Sequence, residues 1–168
     1  MQLITPFLWF EDQAEEAAQF YIDVFSGRNG ASKESKIISV ARYEEESAEA
    51  TGMPPGTVMC VNFTLEGQDF VGLNGGAKFK FTEAVSFVID CKTQEEVDYF
   101  WDTLCEGGEP SRCGWLQDKY GLSWQVVPTV LNEMLMDKDP KKRTRVMEAM
   151  LKMDKIDIKT LKKAYTAS

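Results

Sequence analysis

One recurrence constrains the fold of this chain more than any other feature. Glu15-Glu16 precede Phe20-Tyr21 by the same interval that separates Glu95-Glu96 from Phe100-Trp101, so an acid-to-aromatic spacing repeats at an offset of 80. In both places a short apolar run comes first, LITPFLWF (3–10) and EAVSFVID (83–90), and reads as a strand. A helical pattern follows each. Ala14, Ala17, Ala18, Tyr21, Ile22 and Phe25 share one face in the first, and Thr93 with Glu96 three residues on offers a capping box to the second. Gly27 and Gly30 end the first helix, Gly107 and Gly108 the second. KIISVARY (36–43) then alternates as a strand, 44–56 reads as an exposed acidic loop, and 57–76 holds two strands around a Glu66-Gly67-Gln68 turn. Residues 109–128 have room for two or three short strands ending at Pro128.

A second alignment, at an offset of 51, lays LEGQDFVGLNGG (65–76) over LQDKYGLSWQVV (116–127) and sets Asn74 opposite Gln125 and Leu73 opposite Trp124. The expected fold is therefore α+β, with two β-α-β-β-β modules at 1–78 and 79–128. Each sheet curves, carries a helix on its outer face and leaves a hollow on its inner face. Residues 129–168 add a helical C-terminal extension to the same domain, with Asp139-Pro140 as a boundary between short helices.

Composition excludes several functions. At 168 residues the chain buries a core without staples, so the four separated cysteines, Cys60, Cys91, Cys105 and Cys113, read as reduced thiols. No apolar run nears the ~18 residues of a membrane span, and two acids follow the short apolar start, so a cytoplasmic location is expected. Net charge is −8, which disfavours nucleic acid. Residues 137–163 hold 10 of the 19 basic residues and 5 of the 27 acidic ones; a solvated or body-docked helical face accounts for them. There is no histidine, which removes Ser-His-Asp and Cys-His machinery.

The strings ITPFLWF, AEEAAQFY, LNGG, EAVSFVIDC, CGWLQDKYGLSWQVVP and VMEAML resemble the PhnB-like family, labelled 3-demethylubiquinone-9 3-methyltransferase. That family sits within the vicinal-oxygen-chelate (glyoxalase/bleomycin-resistance/dioxygenase) superfamily. The resemblance spans essentially the whole chain and implies paired β-α-β-β-β modules, commonly in a homodimer. In metal-using members it implies ligands of His, Glu or Gln type on the first and last strands, which fall here near Thr5 or Pro6, Asn74, Glu83 and Gln125. One carboxylate and two neutral amides make a poor set for zinc or iron, so no metal and no cofactor is expected.

Alternation places Glu83 on one face with Val85, Phe87 and Ile89, where an apolar setting would suit a general base; a frayed, solvated start to the strand is the competing reading. Gln125 and Asn74 are expected to face the hollow, with Trp124, Leu122 and Leu73 under the outer helix, unless the amides bond each other or backbone. Trp9 and Trp115 are pocket candidates, whereas Trp101 reads as a core anchor. Cys113, beside Arg112, is named with Trp9 and Trp115 as a ligand-lining residue, its thiol read as packed rather than as a nucleophile. The Gly-rich LNGG is followed by AKFKF, which is no helix start, so nothing supports a methyl-donor loop. Two readings result: a metal-free small-molecule binding or sequestering protein, or a lyase, isomerase or transferase of the superfamily with Glu83 as base and a weakly held divalent cation.

Overall fold

A computed structural model describes residues 2–167, which divide into two compact units, one through Phe81 and one from Thr82 onward. In the first unit the order is β1 (Phe7–Phe10), α1 (Ala14–Gly27), β2 (Lys36–Arg42), α2 (Glu45–Thr51), β3 (Val58–Leu65) and β4 (Gln68–Asn74). The sheet runs β1-β4-β3-β2, with β1 parallel to β4 and the other pairs antiparallel. Leu8, Phe10, Val61, Phe63 and Phe70 are buried on one face, and α1 lays Ala14, Ala17, Ala18, Tyr21 and Phe25 against it. Small residues let helix and sheet approach closely: a Cβ at Gly72 would stand 3.3 Å from that of Ala14.

The β3–β4 turn forms as the sequence predicts, with Glu66 and Gly67 both left-handed (φ 48° and 78°), the conformation that matches a tight turn to strand twist. Glu66 has a second task. Its carboxylate accepts bonds from the Ser32 backbone and hydroxyl and from the Lys33 N–H, and pairs with Arg28 at 3.0 Å, so the loop after α1 is pinned to the hairpin. The stretch expected as an acidic loop (44–56) instead contains the exposed helix α2, favoured by acids in its first turn.

The second unit repeats the plan with β5 (Phe87–Cys91), α3 (Gln94–Leu104), β6 (Glu109–Pro110), β7 (Trp115–Gln117) and β8 (Ser123–Pro128). Its order, β5-β8-β7-β6, is that of the first sheet, again with first and last strands parallel. Thr93 caps α3 by accepting from the Glu96 N–H, and the Glu96 carboxylate accepts from the Lys92 N–H, one residue before the cap. Val97, Phe100, Trp101 and Leu104 of α3 are buried, as are Leu116, Trp124, Val126 and Ile89 of the sheet.

Within CGWLQDKYGLSWQVVP, Asp118 ties the β7–β8 turn together. Its buried carboxylate accepts from the Tyr120 and Leu122 N–H groups and from the Trp124 indole at 2.8 Å. The tail folds as α4 (Thr129–Leu135), α5 (Pro140–Met150) and α6 (Ile158–Thr166), with Asp139 capping α5 ahead of Pro140. Val127, Leu131, Met134, Val146, Ile156 and Leu161 form its core. Lys155 fastens the tail to α3, 2.9 Å from Asp102 and 3.3 Å from Asp98. No helix among the described residues is long and apolar enough to cross a membrane.

Two expectations change. The strand expected at 83–90 begins only at Phe87, because 83–84 form a turn, so Glu83 does not share a strand face with Val85, Phe87 and Ile89. On β4 it is Asn74, with Phe70 and Gly72, that lies under α1, while Leu73 faces the other way. The offset of 51 is odd, and a slip of one residue exchanges the faces of a strand.

Burial alone would raise the Glu66 carboxyl, but the bonds from Ser32 and Arg28 outweigh it and hold it below the ordinary range. A folded value below the unfolded one gives stability that is complete above the unfolded carboxylate range, about 4.3, and is lost as pH falls through the lowered value. Glu66→Gln is expected to cost about 1–2 kcal/mol in urea unfolding at pH 7, and clearly less near pH 3. A penalty that does not shrink at low pH contradicts this role.

Candidate ligand-binding cavity in the second unit

A cavity of about 470 Å³ opens on the sheet face of the second unit turned away from α3. The strand register sets its floor. Glu109, Gln117 and Ser123 are direct partners across β6, β7 and β8, and Trp115 sits one step further along the same face, opposite Gln125. Leu116 and Trp124, between them in sequence, turn toward α3. Arg112 and Cys113 enter from the hairpin between β6 and β7, and Glu83 from the turn before β5.

Ser123 is the unusual member of this lining. It is 0 % exposed, yet its hydroxyl has no hydrogen-bond partner in the protein. A buried polar group left unpaired costs about 1–3 kcal/mol, so natural interiors avoid it. The side chains of Arg112, Glu83, Glu109 and Gln117, all lining the same space, make no hydrogen bond or ion pair with any other described residue.

The hairpin that carries Arg112 and Cys113 is held from behind. Cys113 and Gly114 are both left-handed (φ 60° and 83°), and their N–H groups donate to the carbonyls of Met153 and Asp154 at 2.8 and 2.7 Å. A side chain at Gly114 would meet the Val126 carbonyl at 2.7 Å, which explains the glycine of the CGW string. The Cys113 thiol donates weakly to the Met150 carbonyl at 3.7 Å. Tail and cavity wall are thus joined through backbone.

The residues nominated from sequence separate into two groups. Glu83, Cys113 and Trp115 line this cavity, and Gln125 stands beside it, its amide donating to the Ser86 hydroxyl at 2.9 Å. Glu83 is exposed, so the apolar setting envisaged for a base is absent. Asn74 and Trp9 belong to the first unit and do not line this cavity. Asn74 accepts from the Ala14 N–H at 2.7 Å, capping α1 where Gln13 provides no side-chain cap, and donates to the Val58 carbonyl at 3.1 Å. The Trp9 indole donates to the Gly76 carbonyl and lies so close over Gly75 that a Cβ there would come within 2.2 Å of the ring. The LNGG string is therefore a lock between β1, β4 and α1. Tyr43 adds to it through the Asn74 carbonyl at 2.6 Å, and burial first, then the neighbouring Cys60, pushes its phenol up.

Sequence reasoning did not nominate Ser123, Gln117, Glu109 or Arg112 as site residues. The available signal was a serine that, with Gln125, interrupts an otherwise apolar strand centre; the missing partner of its hydroxyl depends on side chains that sequence does not place.

The ligand positions that the sequence resemblance implied offer a poor donor set for a metal among the described residues. Both polar atoms of the Asn74 amide are engaged, the Pro6 carbonyl accepts from Val71, and the Gln125 amide nitrogen is tied to Ser86. Among the described residues no three Cys, Asp or Glu side chains converge. One exposed carboxylate and neutral oxygens do not fit a divalent transition metal.

Because its hydroxyl has no partner in the protein, Ser123→Ala removes a penalty rather than a bond. Thermal unfolding of this variant is expected to match or exceed the parent, by up to about 1 kcal/mol. A loss above about 1 kcal/mol would show that the hydroxyl is satisfied inside the protein.

Residues 2–127 match the 3-demethylubiquinone-9 3-methyltransferase family, so α4, α5 and α6 lie beyond the matched segment. Among solved structures, a PhnB protein from Bacillus cereus is 36% identical with a TM-score of 0.64, covering 76% of this chain and 100% of that one. Protein PA1353 from Pseudomonas aeruginosa is similar at 15% identity and a TM-score of 0.59, over 76% and 98% of the two chains. The fosfomycin resistance protein FosX from Listeria monocytogenes is similar at 14% identity and 0.54, over 81% and 98%. These last two show the fold alone. No curated protein matches the chain. The chain belongs to the PhnB-like, 3-demethylubiquinone-9 3-methyltransferase family, with the glyoxalase/bleomycin-resistance/dioxygenase fold.

Proposed function

We propose that this protein binds a small molecule, without a metal, in the cavity of its second unit. The observation that carries the reading is Ser123, a fully buried hydroxyl with no partner, on the floor of a space that other unpaired polar side chains line. A ligand that bonds this hydroxyl supplies the partner that the protein itself does not. Trp115 supplies a broad apolar wall beside it, in keeping with pockets that combine aromatic surface with a few placed polar groups. Methyl transfer, named in the family's description, draws no support from the glycines of LNGG, which serve Trp9 and α1.

Glu83 keeps an enzymatic reading alive, since its carboxylate lines the same cavity and could take a proton from a bound substrate. The homodimer and the cytoplasmic location expected from sequence belong to the same proposal.

Titration of isotope-labelled protein with a library of neutral and charged small-molecule fragments tests the reading by NMR. Ligand binding is expected to move the amide signals of Ser123, Gln117 and Trp115 together, and Ser123→Ala is expected to weaken the best binder about tenfold, the worth of a buried hydrogen bond. Signals that move only elsewhere, or not at all, contradict it. If a bound fragment is converted and Glu83→Gln abolishes the conversion, the protein is an enzyme rather than a binding protein.

A further inference from the structure

The charges around the cavity are arranged by the strand register rather than scattered. Glu109 is level with Gln117 and Ser123 across three strands, at the start of β8. Glu83 precedes β5, which runs parallel to β8 with Phe87 level with Trp124, so it too belongs to the Ser123 end. Arg112 lies in the hairpin at the opposite end of β7, past Trp115. Gln117 and Trp115 are two residues apart, so at the rise of a strand the two ends are separated by at least about 7 Å of backbone. One end of the cavity, level with neutral Gln117 and Ser123, is thus acidic, and the other, past Trp115, is basic.

None of these three charges is paired within the described protein. A wholly anionic ligand would meet the guanidinium but be repelled by two carboxylates, and a wholly cationic one the reverse. A neutral ligand would displace water from all three without replacing its interactions. We infer that the occupant is a small zwitterion of dipeptide size, its ammonium toward Glu83 and Glu109 and its carboxylate toward Arg112. The central polar group of such a molecule, a peptide link in a dipeptide, meets the Ser123 hydroxyl and Gln117 amide, and an apolar side chain lies on Trp115. Guanidinium and carboxylate pair in a bidentate geometry, which makes arginine the suitable residue for the anionic end. This assignment rests on the binding role proposed above.

Four probes of nearly equal size separate the possibilities: phenylalanyl-glycine, its N-acetyl derivative, its C-terminal amide, and the doubly blocked form. Titrated at pH 7 and low salt, and followed through the Ser123, Gln117 and Trp115 signals, the free dipeptide is expected to bind at least tenfold more tightly than any blocked form. The advantage is expected to shrink as ionic strength rises. Arg112→Met is expected to abolish the discrimination between free dipeptide and amide, and the double variant Glu83→Gln, Glu109→Gln the discrimination between free and N-acetyl forms. These residues are exposed, so their replacement leaves the core intact. If the doubly blocked form binds as well as the free one, or if neither variant changes its ratio, the zwitterion assignment falls while the binding role stands. If none of the four probes shifts these signals but neutral fragments do, the ligand class is again wrong. If neither probes nor fragments shift them, both readings fall.

Discussion

In each unit the first strand pairs in parallel with the last. A parallel pair cannot be closed by a hairpin; it needs a crossover that returns the chain to the same end of the sheet. In the first unit α1 crosses over, and in the second α3 does, leaving β2-β3-β4 and β6-β7-β8 to fold as antiparallel meanders beside β1 and β5. With one crossover helix, one face of the sheet is covered and the other is not. In the second unit the face turned away from α3 holds Ser123, Gln117 and Trp115, which line the cavity.

The same pairing explains which parts of the fold were legible in the sequence. Helical faces such as Ala14-Ala17-Ala18-Tyr21 and the Thr93-to-Glu96 cap are local patterns, and they appear where the periodicity placed them. The Glu66-Gly67 turn is equally local. What failed was phase. The unequal lengths of the two modules made an offset of 51 look natural, and that odd number set Asn74 against Gln125 although the two residues face opposite sides of their sheets. Glu83 failed for a related reason: two turn residues precede β5, and apolar alternation cannot tell a strand's first residue from a turn that happens to continue its pattern.

The candidate site was half legible. Glu83, Cys113 and Trp115 do reach one cavity. Ser123 was visible only as a polar residue in an apolar run, because what distinguishes it is a buried hydroxyl without a hydrogen-bond partner in the protein. Other conspicuous strings serve the fold instead. LNGG seats Trp9 and caps α1, Gly114 admits the Val126 carbonyl, and Asp118 gathers the turn before β8. The tail, outside the matched family segment, holds the Cys113-Gly114 backbone that forms the cavity's basic end.

The account turns on a single buried hydroxyl, and the most direct measurement is the electron density around Ser123 in crystals of protein purified without denaturation or added ligand. The account predicts density for an organic molecule within hydrogen-bond distance of the Ser123 hydroxyl, extending over Trp115. A cavity holding only ordered water, with Ser123 satisfied by that water or by a neighbouring protein group, would contradict it.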